Sequence, residues 1–299
     1  MFTLYNYEEF KRRILEKLRE KYGEEAVCVI TVTRNNNLKV DGICFGKGTK
    51  VASPIMYLDH KKEYYSDYDM ERLMEDAENY VKSIKIYSDK AVEDSRNWEK
   101  MKDKIFPRVI NYEMNKEKLE YTPHVRFLDM AVVFFFQSNE LFPELGEGTI
   151  MVHDGIREAW EVSVEKLMKY SMKNLKELEC GCKRLEEFLD MYGIPVTEDM
   201  EIPLYMVTVY DGCYGATAML NRVFMEEACE KMESQKLWII PSSVHEVLLL
   251  PYERSVDAHG LHRVCNDVNK TLNLEDILSD SIYLYDNETK QINFAKGGQ

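Results

Sequence analysis

LWIIPSSVHEVLLLP, Leu237 to Pro251, sets two apolar runs of four residues on either side of a short polar insert. Runs of that length, rich in β-favouring residues and separated by a turn started at Pro241, predict a hairpin. Downstream, Leu261, Val264 and Val268 recur at helical spacing, so the hairpin leads into a helix that turns these three residues inward. That unit, a hairpin followed by a helix, organises the rest of the chain.

The same order is read upstream. Leu204 to Tyr210 and Tyr214 to Leu220 pair across Asp211-Gly212 and lead into a helix with Phe224, Ala228 and Met232 inward. TIMV and IREAW flank His153-Asp154-Gly155 as a second hairpin turn. Ser163 then caps a helix whose Val164, Leu167, Met168, Ser171, Leu175 and Leu178 share one face. Val125 to Phe136 is almost continuously apolar and predicts a central strand, and SIYLYD, Ser281 to Asp286, predicts the last one.

At the other end Asn6 and Glu9 form a capping-box pattern, followed by Tyr7, Phe10, Ile14 and Leu18 at helical spacing until Gly23. AVCVITVTR and LKVDGICFG flank Asn35-Asn36-Asn37, a hairpin, with VASPIMYL as a third strand. Met70, Leu73, Met74, Ala77, Val81 and Ile84 then mark an amphipathic helix with an acidic outer face. The sum is an α+β protein of largely antiparallel sheets built from hairpin-helix units, with the helices on one face. A charged, weakly patterned stretch from Asp89 to Asp103 divides the 299 residues into an N-terminal helix-hairpin-helix region, 1–103, and a C-terminal domain, 104–299.

An apolar fraction of 45% beside 31% charged residues is globular composition, and a chain of this length buries enough surface to fold without disulfide or metal. The formal net charge of −14 argues against a generic nucleic-acid surface, where Lys and Arg neutralise phosphates. It fits a solubility surface, or an acidic face that meets a basic partner or mimics DNA. The 19 tyrosines supply rigid amphipathic area either for such a face or for packing between strands. Seven scattered cysteines fit a reducing compartment. No charged-then-apolar leader opens the chain, and the longest apolar run, Met130 to Phe136, is far short of the roughly 20 residues that span a bilayer. The expectation is a cytoplasmic protein, in which the sequons at Asn269 and Asn287 have no meaning.

Reactive side chains gather only in the polar insert. Ser242 or Ser243 as nucleophile, His245 as base and Glu246 as orienter are the residue types of a hydrolase triad. Their spacing is unfavourable, because in a strand His245 and Glu246 point to opposite faces, and no GxSxG elbow lifts a serine out of the sheet. The structural reading is a tight turn in which the serines bond the local backbone. Asp129 interrupts an apolar run; it is either a buried acid that needs partners or the solvent-side rim of its strand. Asp280 reads as a cap or turn.

His259 and His262 lie three apart on a predicted helix, with Cys265 three further, and Cys180-Gly181-Cys182 is a remote supply of thiolates for a metal. The HExxH spacing is absent, and no cofactor is implied. Gly46-Lys47-Gly48-Thr49 fails the phosphate-loop pattern, since Gly48 stands where Ser or Thr must follow the lysine.

The chain resembles the family labelled domain of unknown function 5688, from gut-dwelling Clostridia and related Firmicutes, over nearly its whole length. The resemblance rests on Tyr7-Glu8-Glu9-Phe10, Ser53-Pro54-Ile55-Met56-Tyr57-Leu58, Ile110-Asn111-Tyr112-Glu113 and Phe127 to Val133. It rests further on Ile240 to Val247, Leu278-Ser279-Asp280 and Tyr283-Leu284-Tyr285-Asp286. Ile105-Phe106-Pro107 and Leu220-Asn221 also resemble marks of domain of unknown function 1444, from Bacillus-type bacteria. Neither resemblance implies an activity. Two functions stay open: an accessory or protein-interaction protein without intrinsic catalysis, and a small hydrolase or ligand-binding enzyme centred on Pro241 to Glu246.

Overall fold

Asn6 accepts a hydrogen bond from the backbone N of Glu9 and starts helix α1 (Tyr7–Tyr22), which ends at Gly23 with φ of 99°, a conformation glycine adopts without strain. Phe10, Ile14 and Leu18 are its buried stripe. The computed structural model describes residues 4–45, 55–58, 62–83, 93–140, 148–191, 203–209 and 212–298. The chain divides into two units, the first comprising Met1–Arg34, Leu38–Ser95 and Gln137–Gly148, the second Asn35–Asn37, Arg96–Phe136 and Thr149–Gln299. The Gly46 to Thr49 segment and Asp211 lie outside the described residues.

In the first unit β1 (Leu4–Tyr5) pairs with β5 (Tyr65–Ser66), and β2 (Val27–Thr33), β3 (Lys39–Phe45) and β4 (Ile55–Tyr57) form an antiparallel sheet. Helix α2 (Asp67–Ser83) opens on a reciprocal cap: the Asp69 carboxylate accepts from Ser66 N at 2.8 Å, and Asp69 N donates to Ser66 Oγ at 3.3 Å. Phe10 stacks on Tyr65 with ring centroids 4.4 Å apart, and Ile14, Leu18, Ile43, Met70 and Ala77 complete the interior.

The second unit holds two antiparallel sheets. β6 (Phe106–Asn111), β8 (Met130–Gln137) and β7 (His124–Phe127) lie in that order, and β9 (Thr149–Met151) also pairs with β8. The larger sheet runs β10 (Cys180–Arg184), β11 (Tyr205–Val209), β13 (Val247–Pro251), β12 (Lys236–Ile240), β14 (Tyr283–Asp286), β15 (Gln291–Phe294). The opening hairpin is thus central, with Ile240 opposite Leu248.

Alternation along β12 sends Leu237 and Ile239 to one face and Trp238 and Ile240 to the other. The first face packs with Phe224, Met225 and Ala228, and with Val109, Met130 and Val132 of the smaller sheet. The second packs with Ala258 and Cys265. Of the three long helices here, α3 (Val164–Leu175) is capped by Ser163, α4 (Arg222–Lys231) by Asn221 and α5 (Ala258–Asn269) by Asp257. Each face of the large sheet therefore receives a helix, α4 on one and α5 on the other, a distribution that strand alternation alone does not specify.

Several local readings change, and Tyr283–Asp286 is followed by a further strand, Gln291–Phe294. Val125 to Phe136 is two strands, not one: Phe127 pairs with Met130 across a two-residue turn in which Leu128 has φ of 57°. His153-Asp154-Gly155 begins a short helix, Asp154–Ala159, rather than a hairpin. Tyr214 to Leu220 is not a strand but a 3-10 helix, Gly215–Leu220, built from small buried residues, and β11 pairs instead with β10 and β13. Gly215 is required there, because a Cβ would lie 2.5 Å from both His245 O and Val209 N. Finally, Val264 and Val268 are exposed, at 61% and 40%, rather than inward. Cys265 and Asn269 set the rotation of α5: the thiol donates to Pro241 O and Ser279 O at 3.6 Å, and Asn269 Nδ2 to Ser279 O at 3.0 Å. Buried polar groups that must be paired outweigh two valines that would prefer to be covered.

Candidate functional site

The turn between β12 and β13 is held from several sides. Ser243 N donates to Glu246 O at 3.1 Å, which closes the turn. Val244, 1% exposed, donates its N–H to Asp276 O at 2.8 Å, and its carbonyl accepts from Ala216 N at 3.3 Å. Thr208 Oγ1 donates to His245 O at 2.9 Å. The insert is therefore fixed by β11, by the 3-10 helix and by the loop before β14.

Within it the four candidates separate. Ser243 Oγ donates to the Glu246 side chain at Oε1, 2.8 Å away, and accepts from the backbone His245 N at 2.9 Å. The His245 ring is engaged elsewhere. Tyr214 N donates to its Nδ1 at 3.2 Å, so Nδ1 carries no proton, and Nε2 holds the ring hydrogen toward Asp276 Oδ1 at 3.3 Å. A general base needs its unprotonated nitrogen directed at a nucleophile, and here that nitrogen faces a backbone amide. Ser242 lines a groove on the opposite side of the large sheet.

Sequence reading missed the support beneath this ring. Arg108 is 4% exposed, its guanidinium 4.1 Å from the Phe135 ring centroid and 3.2 Å from that of Tyr214, and it donates to Thr149 Oγ1 at 3.2 Å. Tyr214 in turn lies 5.3 Å from His245, ring to ring. The available signal was an arginine inside the apolar run FPRVIN.

Asp129 occupies the β7–β8 turn, half-buried, not the rim of a continuous strand. Ser279 Oγ and Ser281 Oγ donate to its Oδ2 at 2.7 and 2.9 Å, and Tyr283 OH donates to its Oδ1 at 2.7 Å. Ser279 and Tyr283 are fully buried. Burial and the neighbouring Asp129 charge both raise the Tyr283 pKa far above that of an ordinary phenol, so the hydroxyl stays a donor. Asn269 Nδ2 fixes Asp280 at 2.7 Å. This cluster binds the sheets together through a carboxylate whose oxygens are occupied by hydroxyls. The sequence held its parts 150 residues apart, so no local pattern announced it.

The two candidate histidines have different neighbours. His262 Nε2 lies 3.4 Å from Asn266 Nδ2 on its own helix, whereas His259 lies against Gly297, where a Cβ would be 2.8 Å from Nε2. Cys180 and Cys182 sit on β10, with burial pushing the Cys180 thiol up to about 11. Among the described residues no three His, Cys, Asp or Glu side chains converge.

Cavities also open in the second unit. On the outer face of the large sheet, Ile240, Pro241, Leu248 and Leu250 face Leu261, Val264 and Val268 of α5 across a groove of about 450 Å³, with Ser242 and Glu253 at its edge. A second cavity of about 390 Å³ opens among β7, α3, α4 and β15. No helix among the described residues is long and apolar enough to cross a membrane.

A model of the family of unknown function DUF5688 matches residues 7–287, and the chain belongs to that family. No curated protein and no solved structure matches it. Stretches on which the resemblance rests meet in space: Ser279 and Tyr283 both donate to Asp129, which lies within Phe127 to Val133.

Proposed function

We propose that this protein is a cytoplasmic accessory protein without intrinsic catalysis, which binds a partner protein through the groove between the large sheet and α5. The observation that carries the reading is the groove itself: an open apolar wall of Leu248, Leu250, Leu261, Val264 and Val268, with Val264 61% exposed. Exposed apolar area of this kind on a helix marks an interaction site. The occupant that fits is a short apolar segment carrying Lys or Arg beside its anchors. Glu253 is the only charged residue among the described residues of the groove lining, and the chain has a net charge of −14.

The absence of catalysis is supported by His245, whose two ring nitrogens are taken by Tyr214 N and Asp276. A cytoplasmic setting is supported by the seven scattered cysteines, a usage that fits a reducing compartment. The acidity argues against a generic nucleic-acid partner.

A photo-crosslinking residue placed at Val264 in cells, with one at exposed Lys176 as control, tests the reading. The expected result is a discrete adduct with a basic protein at 264 alone, lost on Val268→Glu and weakened by salt. Equal labelling at both positions, self-adducts only, or no adduct would overturn it. The enzyme reading draws on Asp276, an acid from a distant segment within reach of His245. It requires a hydrolytic activity that Ser243→Ala and His245→Gln both abolish.

A further inference from the structure

The cavity of about 390 Å³ in the second unit differs from the groove in chemistry. Its apolar surface includes four methionines, Met168, Met172, Met219 and Met225, flexible side chains that adapt to irregular apolar ligands. In a chain with 53 acidic and 39 basic residues, its lining among the described residues contains Arg126, Arg222 and Lys290 and no Asp or Glu.

Two of these cations have work already. Arg126 lies 3.6 Å over the Tyr112 ring and donates to Leu128 O at 2.6 Å, and Lys290 pairs with Glu226 at 3.1 Å. Arg222, the first residue of α4, forms no hydrogen bond or ion pair with the described residues. Its charge adds to the positive end of the helix dipole.

The second observation is Tyr285. It lines the same cavity, is 1% exposed, and its hydroxyl has no hydrogen-bond partner among the described residues. A buried donor left unpaired is destabilising, and such groups in native proteins call for an explanation. Tyr285, with its unpaired hydroxyl, and Arg222 both line one cavity of a volume usual for small-molecule sites.

We propose that this cavity binds an amphipathic carboxylate: an apolar body against the methionines, and a single anionic head that pairs with Arg222 and accepts a hydrogen bond from Tyr285. A carboxylate suits both partners, since it accepts from a guanidinium and from a phenol at once. The site is independent of the groove under α5, and the two readings stand or fall separately.

Calorimetric titration of the full chain with decanoate and with 1-decanol, which shares the tail without the charge, tests it. Decanoate binds saturably, and the alcohol binds roughly tenfold more weakly or worse. Arg222→Gln reduces decanoate to the level of the alcohol. Tyr285→Phe weakens decanoate severalfold, while the protein's own stability is unchanged or higher, because an unpaired buried donor has been removed. Val264→Glu, in the groove, leaves decanoate binding as it was. Equal affinity for acid and alcohol, binding indifferent to both Arg222→Gln and Tyr285→Phe, binding lost on Val264→Glu, or no saturable binding of decanoate would each overturn the proposal.

Discussion

The Pro241–Glu246 turn and the β7–β8 turn both place an acid among hydroxyls, yet they are built on opposite plans. In the first, the serine, histidine and glutamate are neighbours in sequence and divide in space: Ser243 pairs with Glu246, and His245 with Asp276 and Tyr214 N. In the second, Asp129 stands alone in its segment and gathers Ser279, Ser281 and Tyr283 from the far end of the chain. Closeness in sequence offers residue types, whereas only the backbone decides which atoms meet. The turn with triad residue types sends its serine and histidine to different carboxylates, and the acid that looked incidental joins strands from two sheets.

Three experiments press on that contrast. The largest effect is expected from Asp129→Leu, which strands the buried hydroxyls of Ser279 and Tyr283 and costs about 3 kcal/mol in urea unfolding. A loss below about 1 kcal/mol would place Asp129 back on a solvated rim. His245→Ala removes the acceptor of one half-exposed amide and one partner of Asp276, so about 1 kcal/mol is expected. The double variant sharpens the comparison: additivity within about 0.5 kcal/mol marks two separate clusters, and a larger deviation marks one network.

Cys265 reports on both at once with almost no change in stability. Its thiol donates to Pro241 O in one cluster and Ser279 O in the other, and burial pushes its pKa up to about 12. Timed alkylation followed by mass spectrometry is expected to modify exposed Cys28 first and Cys265 only as the unit unfolds. Early modification of Cys265 would show that α5 lifts from the sheet on its own.

The elements that were legible in the sequence are those fixed by short-range chemistry. Asn6 and Ser163 cap the helices that the sequence assigns to them, and the β12–β13 hairpin forms around Pro241. The misread elements are those where a distant partner overrules local preference. Tyr214 to Leu220 reads as a strand until Gly215 is set against His245 O, and α5 reads as a valine-faced helix until Asn269 finds Ser279 O. Of the candidate site, the residue types were visible and the pairing was not. Arg222 and Tyr285 were invisible as a pair, since one caps no pattern and the other sits in an ordinary strand repeat.

By itself the sequence determined the α+β class, the caps, most strand and helix positions, and the acidic character of the protein. These depend on periodicity, turn chemistry and charge, which act over a few residues or over the chain as a whole. The tertiary structure decided which carboxylate is saturated by hydroxyls, which histidine nitrogen carries the proton, and which cavity Arg222 and Tyr285 line together. Those outcomes depend on the desolvation of specific polar atoms, and burial is assigned by the assembled sheets rather than by any one segment.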